Sequence, residues 1–514
     1  MTPRKIISAF IVLFLTLLAW EIGTPRHAGT YHNTAYGCLG GGVGTTTGVG
    51  TGIGTDPFAA AALAGSNGVL VDADGVLRRQ AFADPNGQLM RQRIAAARGK
   101  LNPNVARASK LRMVSLNRLE AAVRDNIANQ AGLSEEMLCL AGLTRLRYVF
   151  FYPETKEIVI AGPAEAWVAD LSGRLIGMAT ASPILELQDL IVALRAFPPG
   201  AHKQPVILCS IDPTPEGLAR MQSFLRSVGT QITPDDTPMI VNGLRTSMGM
   251  QDIRVGGIAA NTHYAQVLIE ADYRMKLIGL GLEQPSVPFR SYVDRATPAQ
   301  ANHNALQRWY FVPEYKCVKV SPDDLGMELV GNGVRLVSED QVVAQNGSRK
   351  ATGRSNGASK GFVDDFTRKY PDIAARTPIY AQLRNVIDMA VAAAFIQQKD
   401  YFAKAAWRME AFSDEKTIPV ETYNTPLHVE TVVNALIKGN HLMTPVGGGV
   451  TIQPNQALQS ENLLRDDASK VVEVRGGAQL KDLPANQWWW DADVPDAAPV
   501  KKKGHAPAPR KAAK

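Results

Sequence analysis

The chain has 514 residues, 45% of them hydrophobic, enough to bury a sizeable core and, by length, to form about three domains. Its formal charge of +7 is concentrated at the ends: Arg4 and Lys5 carry two of the positive charges and Lys501, Lys502, Lys503, Arg510, Lys511 and Lys514 carry six, which leaves residues 21–499 close to neutral. A body without a basic footprint excludes nucleic acid as the expected partner, and four cysteines at least 70 residues apart, with no CxxC and no His at ligand spacing, exclude a structural zinc site.

Arg4 and Lys5 precede an apolar run from Ile6 to Trp20, interrupted by Ser8 and Thr16 and closed by Glu21. This is the charged and apolar pattern of an export signal. The run is short for a bilayer span, which takes about 20 predominantly apolar residues. No small-x-small cleavage site follows it, because Leu17 and Arg26 stand two places before Ala19 and Ala28. A cleaved signal peptide and a retained anchor over residues 1–20 therefore both fit. The protein is expected to be exported to the periplasm or cell envelope, and tethered to the inner membrane if the segment is kept. Residues 21–66 follow as a flexible spacer, since Gly37 to Thr55 is mostly Gly, Thr and Val and cannot bury enough side chain to offset ordering.

A mixed α/β body is expected over 67–344. Val69–Leu77 holds Asp74-Gly75 between apolar runs, the signal of a hairpin turn. Aligned on Gly75, positions 1 and 12 of a calcium loop fall on Leu70 and Ala81, so calcium is not expected. Helices are read at Gln88–Ala97, at Ser115–Asn126 and after Ser134, which caps a first turn containing Glu135 and Glu136. Tyr148–Tyr152 and Glu157–Ala161 form a second hairpin around Pro153–Lys156. A helix at Leu185–Arg195 precedes Pro205–Ile211, an apolar run of the kind buried on both faces. Thr214 as N-cap and Pro215 at the first helical position start a helix that stops at Gly229. Tyr264, Val267, Leu268, Ala271, Met275 and Ile278 share one helix face. Strands follow at Trp309–Val312 and Cys317–Val320, then a hairpin from Met327 to Val337 turning at Gly331-Asn332-Gly333.

Residues 345–361 are polar and read as a linker, followed by a smaller, mainly helical region over 362–480 with helices at Phe362–Tyr370 and, after Thr377-Pro378, to about Gln398. Arg384 and Asp388, four apart, can pair on the latter and count against a membrane span. Residues 481–514 hold Trp488, Trp489 and Trp490 and a basic disordered tail. The fold class is α/β or α+β: a mixed sheet with β-hairpins and packed helices.

The stretches Tyr148–Trp167, Cys209–Met221, Val267–Glu283, Arg308–Val337 and Thr444–Pro454 resemble an uncharacterised exported family best represented in planctomycete bacteria, known as domain of unknown function 1598. The resemblance spans most of residues 66–460. It implies export and a shared fold, and no activity or site residues.

Two GxSxG matches, around Ser355 and Ser359, lie in the polar stretch rather than between a buried strand and a helix, so neither reads as a nucleophile elbow. Ser413–Lys416 fits SxxK without its companion motifs. The weak catalytic candidates are Ser210 and Asp212, at the end of a strand where open α/β sheets bind ligands. Asp, Thr-Pro and Glu216 at a helix start also serve capping and the helix dipole, which is the expected role. On the Thr262 helix, Glu270–Arg274 and Asp272–Lys276 are acid-before-base pairs expected on an exposed face. A metal site at His263 would need ligands from elsewhere in the chain. No metal and no cofactor is expected. Trp488, Trp489 and Trp490 are the binding candidates, either docked on the protein's own body or forming a clamp for a glycan or an interfacial anchor beside the basic tail. The leading expectation is a non-enzymatic structural or interaction component of the cell envelope, with an envelope polymer or protein as partner. The alternative is an envelope hydrolase or metal-dependent enzyme with a site near Asp212.

Overall fold

Along Ile207–Pro213 the side chains alternate, with Ile207, Cys209 and Ile211 buried and Leu208, Ser210 and Asp212 turned to the other face. The same period-two pattern sorts the strands of the computed structural model, which describes residues 67–492 apart from 202–204, 230–232, 298–304, 434–445, 467, 478–479, 481–482 and 485. The segments expected to direct export and to act as a spacer, with Cys38, and the basic stretch beyond residue 492 lie outside the described residues.

A nine-stranded sheet runs in spatial order Asn67–Val71, Val76–Ala81, His428–Glu430, Met250–Gly256, Ile207–Pro213, Val446–Ile452, Ala305–Pro313, Val334–Val343 and Arg349–Ala351. The contact of Ala305–Pro313 with Val446–Ile452 and that of Val76–Ala81 with His428–Glu430 are parallel, and the other pairings are antiparallel. A seven-stranded sheet runs Leu464–Arg465, Val318–Val320, Gly326–Leu329, Tyr148–Tyr152, Glu157–Ala164, Ser109–Ser115 and Trp489–Asp491. The fold is of mixed class, α/β or α+β. Three helices share the main core with both sheets. His263–Gly279 lies on Ile207–Pro213 and Val446–Ile452 and against Pro378–Gln398, which in turn packs on Leu187–Ala196. Leu268, Met275, Ile387 and Phe395 meet Ile207 and Phe311 of the larger sheet and Val149 and Ile160 of the smaller in one apolar cluster. The helices Pro215–Val228 and Thr237–Met248 bury Leu218, Met221, Ile240 and Leu244 against Leu306 and Val343 on the opposite face of the larger sheet.

The local signals act as the sequence indicates. Thr214 Oγ1 accepts from Gly217 N at 3.0 Å, and Ser115, Ser134 and Thr262 cap their helices in the same way. Pro378–Gln398 is long and apolar enough to cross a membrane, yet 94% of its apolar window is buried in the protein, which makes it a core helix. Its Asp388 meets Arg145, from a distant segment, 3.5 Å away.

Four expectations change. Met327–Val337 is not one hairpin: Gly326–Leu329 pairs with Val318–Val320 and Tyr148–Tyr152, whereas Val334–Val343 pairs with Ala305–Pro313, so Gly331 and Gly333, both at positive φ, carry the chain from one sheet to the other. The stretch 345–361 is not a linker between compact units. It supplies the edge strand Arg349–Ala351 and the start of the Gly357–Arg368 helix, and the described residues on both sides of it fall in one compact unit. The region 362–480 is not a separate helical unit either, because its strand Val446–Ile452 sits in the middle of the nine-stranded sheet. That position forces glycine: a Cβ on Gly448 would lie 1.8 Å from the Trp309 carbonyl oxygen. Finally, Ile207–Pro213 is covered on one face only and is antiparallel to both neighbours.

Candidate functional site

The antiparallel setting of Ile207–Pro213 removes the topological switch point that made its end a candidate crevice. Ser210 is half-buried in mid-strand, paired in register with Arg254 and Gly449. Asp212 is tied down: its Oδ2 accepts from Arg308 Nη2 at 3.2 Å and its Oδ1 from Arg349 Nη1 at 3.1 Å. Burial works against ionisation of Asp212, but Arg308, Lys276 and Arg349 outweigh it and hold the carboxyl below its ordinary value. Such a group is a poor proton acceptor. Arg349 belongs to the stretch read as linker, which is why the sequence concealed this partner.

The acid-before-base pairs on His263–Gly279 form, but in the interior. Lys276 Nζ donates to Asp272 Oδ2 at 2.8 Å and to the Ile211 carbonyl at 2.8 Å, and Arg274 lies 3.4 Å from Glu270. Arg174 joins Glu270 at 2.7 Å and Glu283 joins Arg274 at 2.7 Å, so the buried charges form a connected network. Burial raises Asp272 to about 6 in spite of Lys276. The exposed face expected from the i,i+4 spacing is absent because the helix is covered by the sheet, by Pro378–Gln398 and by Leu187–Ala196.

His263 gains the partners that its own helix lacks. Its Nδ1 is 2.9 Å from Asp189 Oδ2 and its Nε2 is 3.7 Å from Glu186 Oε1, both from the start of Leu187–Ala196. Burial opposes a charged imidazole, yet Asp189 and Glu186 together push it up to about 9. Sequence reasoning missed these two acids, which lie 74 and 77 positions away; a Glu-x-x-Asp spacing at a helix start was the only signal and reads equally well as dipole complementarity.

Each tryptophan of the run has a distinct place. Trp488 and Trp490 are 7% and 6% exposed, while Trp489 is half-buried. The strand Trp489–Asp491 completes the edge of the seven-stranded sheet against Ser109–Ser115. Arg112, fully buried, fastens it: the guanidinium donates to Asp491 at 2.8 and 3.1 Å and lies 4.6 Å from the centre of the Trp489 ring. The run borders an open groove of about 540 Å³, whose other walls include Asn102, Asn104, Arg107, Glu136 and Gln487.

Ser355 and Ser359 are not nucleophiles in waiting. Ser359 sits in the first turn of Gly357–Arg368, where its hydroxyl accepts from the buried Trp309 indole at 2.6 Å, and Ser355 meets Ser338 at 2.5 Å. Among the described residues Cys139, Cys209 and Cys317 are free and buried.

Residues 209–292 match the model of the family described as protein of unknown function, DUF1598. This stretch is similar to that family. It runs from the middle of the Ile207–Pro213 strand through both outer helices to the far side of His263–Gly279, so Asp212, the Glu270–Arg274 and Asp272–Lys276 pairs and His263 fall within it, and the tryptophan groove falls outside. No curated protein and no solved structure matches the chain.

Proposed function

We propose that the protein is a non-enzymatic, exported component of the cell envelope that holds an envelope polysaccharide in the groove beside Trp488–Asp491. The observation that carries this reading is the lining of the groove: an indole fixed in place by Arg112, next to the amides of Asn102, Asn104 and Gln487 and the charged ends of Arg107 and Glu136. Indole faces pack on the C–H faces of sugars, and planar amides and charged groups pair with ring hydroxyls, so apolar and polar contacts alternate as a glycan requires. Arg4, Lys5 and the Ile6–Trp20 run support export. The enzyme alternative near Asp212 has less in its favour, because that carboxylate is committed to Arg308 and Arg349.

Co-sedimentation with insoluble envelope polysaccharide tests the reading. Wild-type protein should pellet with the polymer, the Asn104→Ala, Arg107→Ala double variant, whose changes fall on exposed groove-lining side chains, should remain in the supernatant while unfolding at the wild-type temperature, and soluble fragments of the polymer should release the wild type. A wild type that stays in solution, or a variant that pellets equally, would refute it.

A further inference from the structure

The start of Leu187–Ala196 and the start of His263–Gly279 come together at a cluster that the polysaccharide reading does not use. Glu186 is the residue before the first helix, Asp189 lies in its first turn, and His263 is the first residue of the second. One ligand atom from each of the three lies within 4.8 Å of the others. Glu186 Oε2 accepts from Gln188 Nε2 at 2.7 Å, that amide nitrogen lies 3.3 Å from the Tyr423 hydroxyl, and Tyr423 donates to Glu421 at 2.9 Å. Two carboxylates thus face one imidazole, and Glu421 lies a step further off, behind Tyr423. Arg174, which also acts on His263, is already paired with Glu270.

Two details go beyond an ordinary His–carboxylate contact. The separation of His263 Nε2 from Glu186 Oε1, 3.7 Å, is too long for a hydrogen bond. It is close to the roughly 3.4 Å that separates two ligands held at tetrahedral angles about 2.0–2.1 Å from one ion. Asp189, meanwhile, has a buried Oδ1 without a hydrogen-bond partner although its side chain is only 7% exposed. Its other oxygen sits on His263 Nδ1, as the backing carboxylate does in a carboxylate–histidine–metal arrangement, where it fixes the tautomer that presents Nε2 to the ion. His263 and Glu186 keep 18% and 13% of their side chains exposed, so neither is fully sealed from solvent.

We infer that Glu186 and His263 bind one divalent transition-metal ion through Oε1 and Nε2, with Asp189 as the positioning residue on Nδ1 and water completing the shell. The mixed nitrogen and oxygen ligands suit Zn²⁺, whereas a hard ion such as Mg²⁺ gains nothing from imidazole.

The test uses the exported chain without a polyhistidine tag, stripped with a chelator and titrated calorimetrically with Zn²⁺ and, separately, with Mg²⁺. Zn²⁺ should bind with a stoichiometry of one and raise the unfolding temperature, and Mg²⁺ should do neither. His263→Gln and Glu186→Gln should each abolish Zn²⁺ binding, and Asp189→Asn should weaken it about tenfold to a hundredfold. Circular dichroism and metal-free unfolding temperatures establish that each variant is folded, and a variant that is not folded is replaced by Glu186→Ala, which leaves the His263–Asp189 contact intact. Absence of Zn²⁺ binding by the wild type, equal binding of Mg²⁺, or Zn²⁺ affinity unchanged in the folded Glu186 variants would overturn the inference. None of these outcomes bears on polysaccharide co-sedimentation, which reads a groove lined by none of these three residues.

Discussion

Replacing Lys276 by Met tests whether the charges under the nine-stranded sheet depend on one another. Met keeps most of the aliphatic stem but removes the ammonium that contacts Asp272 and the Ile211 carbonyl, both at 2.8 Å. Asp272 is 0% exposed and its Oδ1 has no hydrogen-bond partner, so the variant leaves a buried carboxylate with no cation in contact. Breaking a buried pair from one side costs about 3–5 kcal/mol. With an unfolding entropy of about 2.1 cal/mol/K per residue over a body of roughly 430 residues, that corresponds to a fall in Tm of about 3–6 °C. The effect has a defined pH dependence. Asp272 titrates at about 6 in the folded protein, above its ordinary value. A raised acid favours the folded state below its unfolded pKa and loses that contribution as pH rises through the folded one, so in the wild type the loss is complete a little above pH 6. Without Lys276 the carboxyl moves higher still and the loss continues through pH 8. Denaturant unfolding at pH 8 should therefore show the full cost, and at pH 5 the two proteins should have nearly equal stability. A cost below about 1 kcal/mol at pH 8, or the same cost at both pH values, would refute the reasoning.

Asp212→Asn should destabilise the protein by about 1–3 kcal/mol in urea unfolding, because Arg308 and Arg349 each lose a charged acceptor; a change of only a few tenths would return Asp212 to the minor helix-start role expected from sequence. Replacing Leu13 and Leu15 by Asp should keep the protein out of the envelope fraction, since a charge near the centre of an inserting helix costs about 2.5–3.5 kcal/mol; normal accumulation in that fraction would count against export through this segment.

Features fixed by neighbouring residues were legible in the sequence. Thr214-Pro215 and Gly229 bound a helix because the cap, the fixed proline φ and the glycine stop act within a few residues of one another. The apolar period of Tyr264 to Ile278 located a helix, but the same period could not say that its charged residues were also covered, since that depends on Pro378–Gln398 more than 100 residues later. Gly331-Asn332-Gly333 permits a tight reversal, and whether the flanking strands join one sheet or two depends on partners at Tyr148–Tyr152 and Ala305–Pro313. The candidate chemistry was split in the same way. His263, Asp212 and the tryptophans stood out by type or position, whereas Glu186, Asp189, Arg308, Arg349 and Arg112, which determine what those residues can do, come from distant segments.

The insertion of Val446–Ile452 between Ile207–Pro213 and Ala305–Pro313 sets a clock on biogenesis. Synthesis proceeds at about 5–20 residues per second, so the roughly 140 residues separating Pro313 from Ile452 take about 7–28 s to appear. Throughout that interval the two flanking strands lack the strand that will sit between them. A thread that cannot close its central sheet until nine-tenths of it exists completes its core only at the end of synthesis, so its final packing is post-translational by topology.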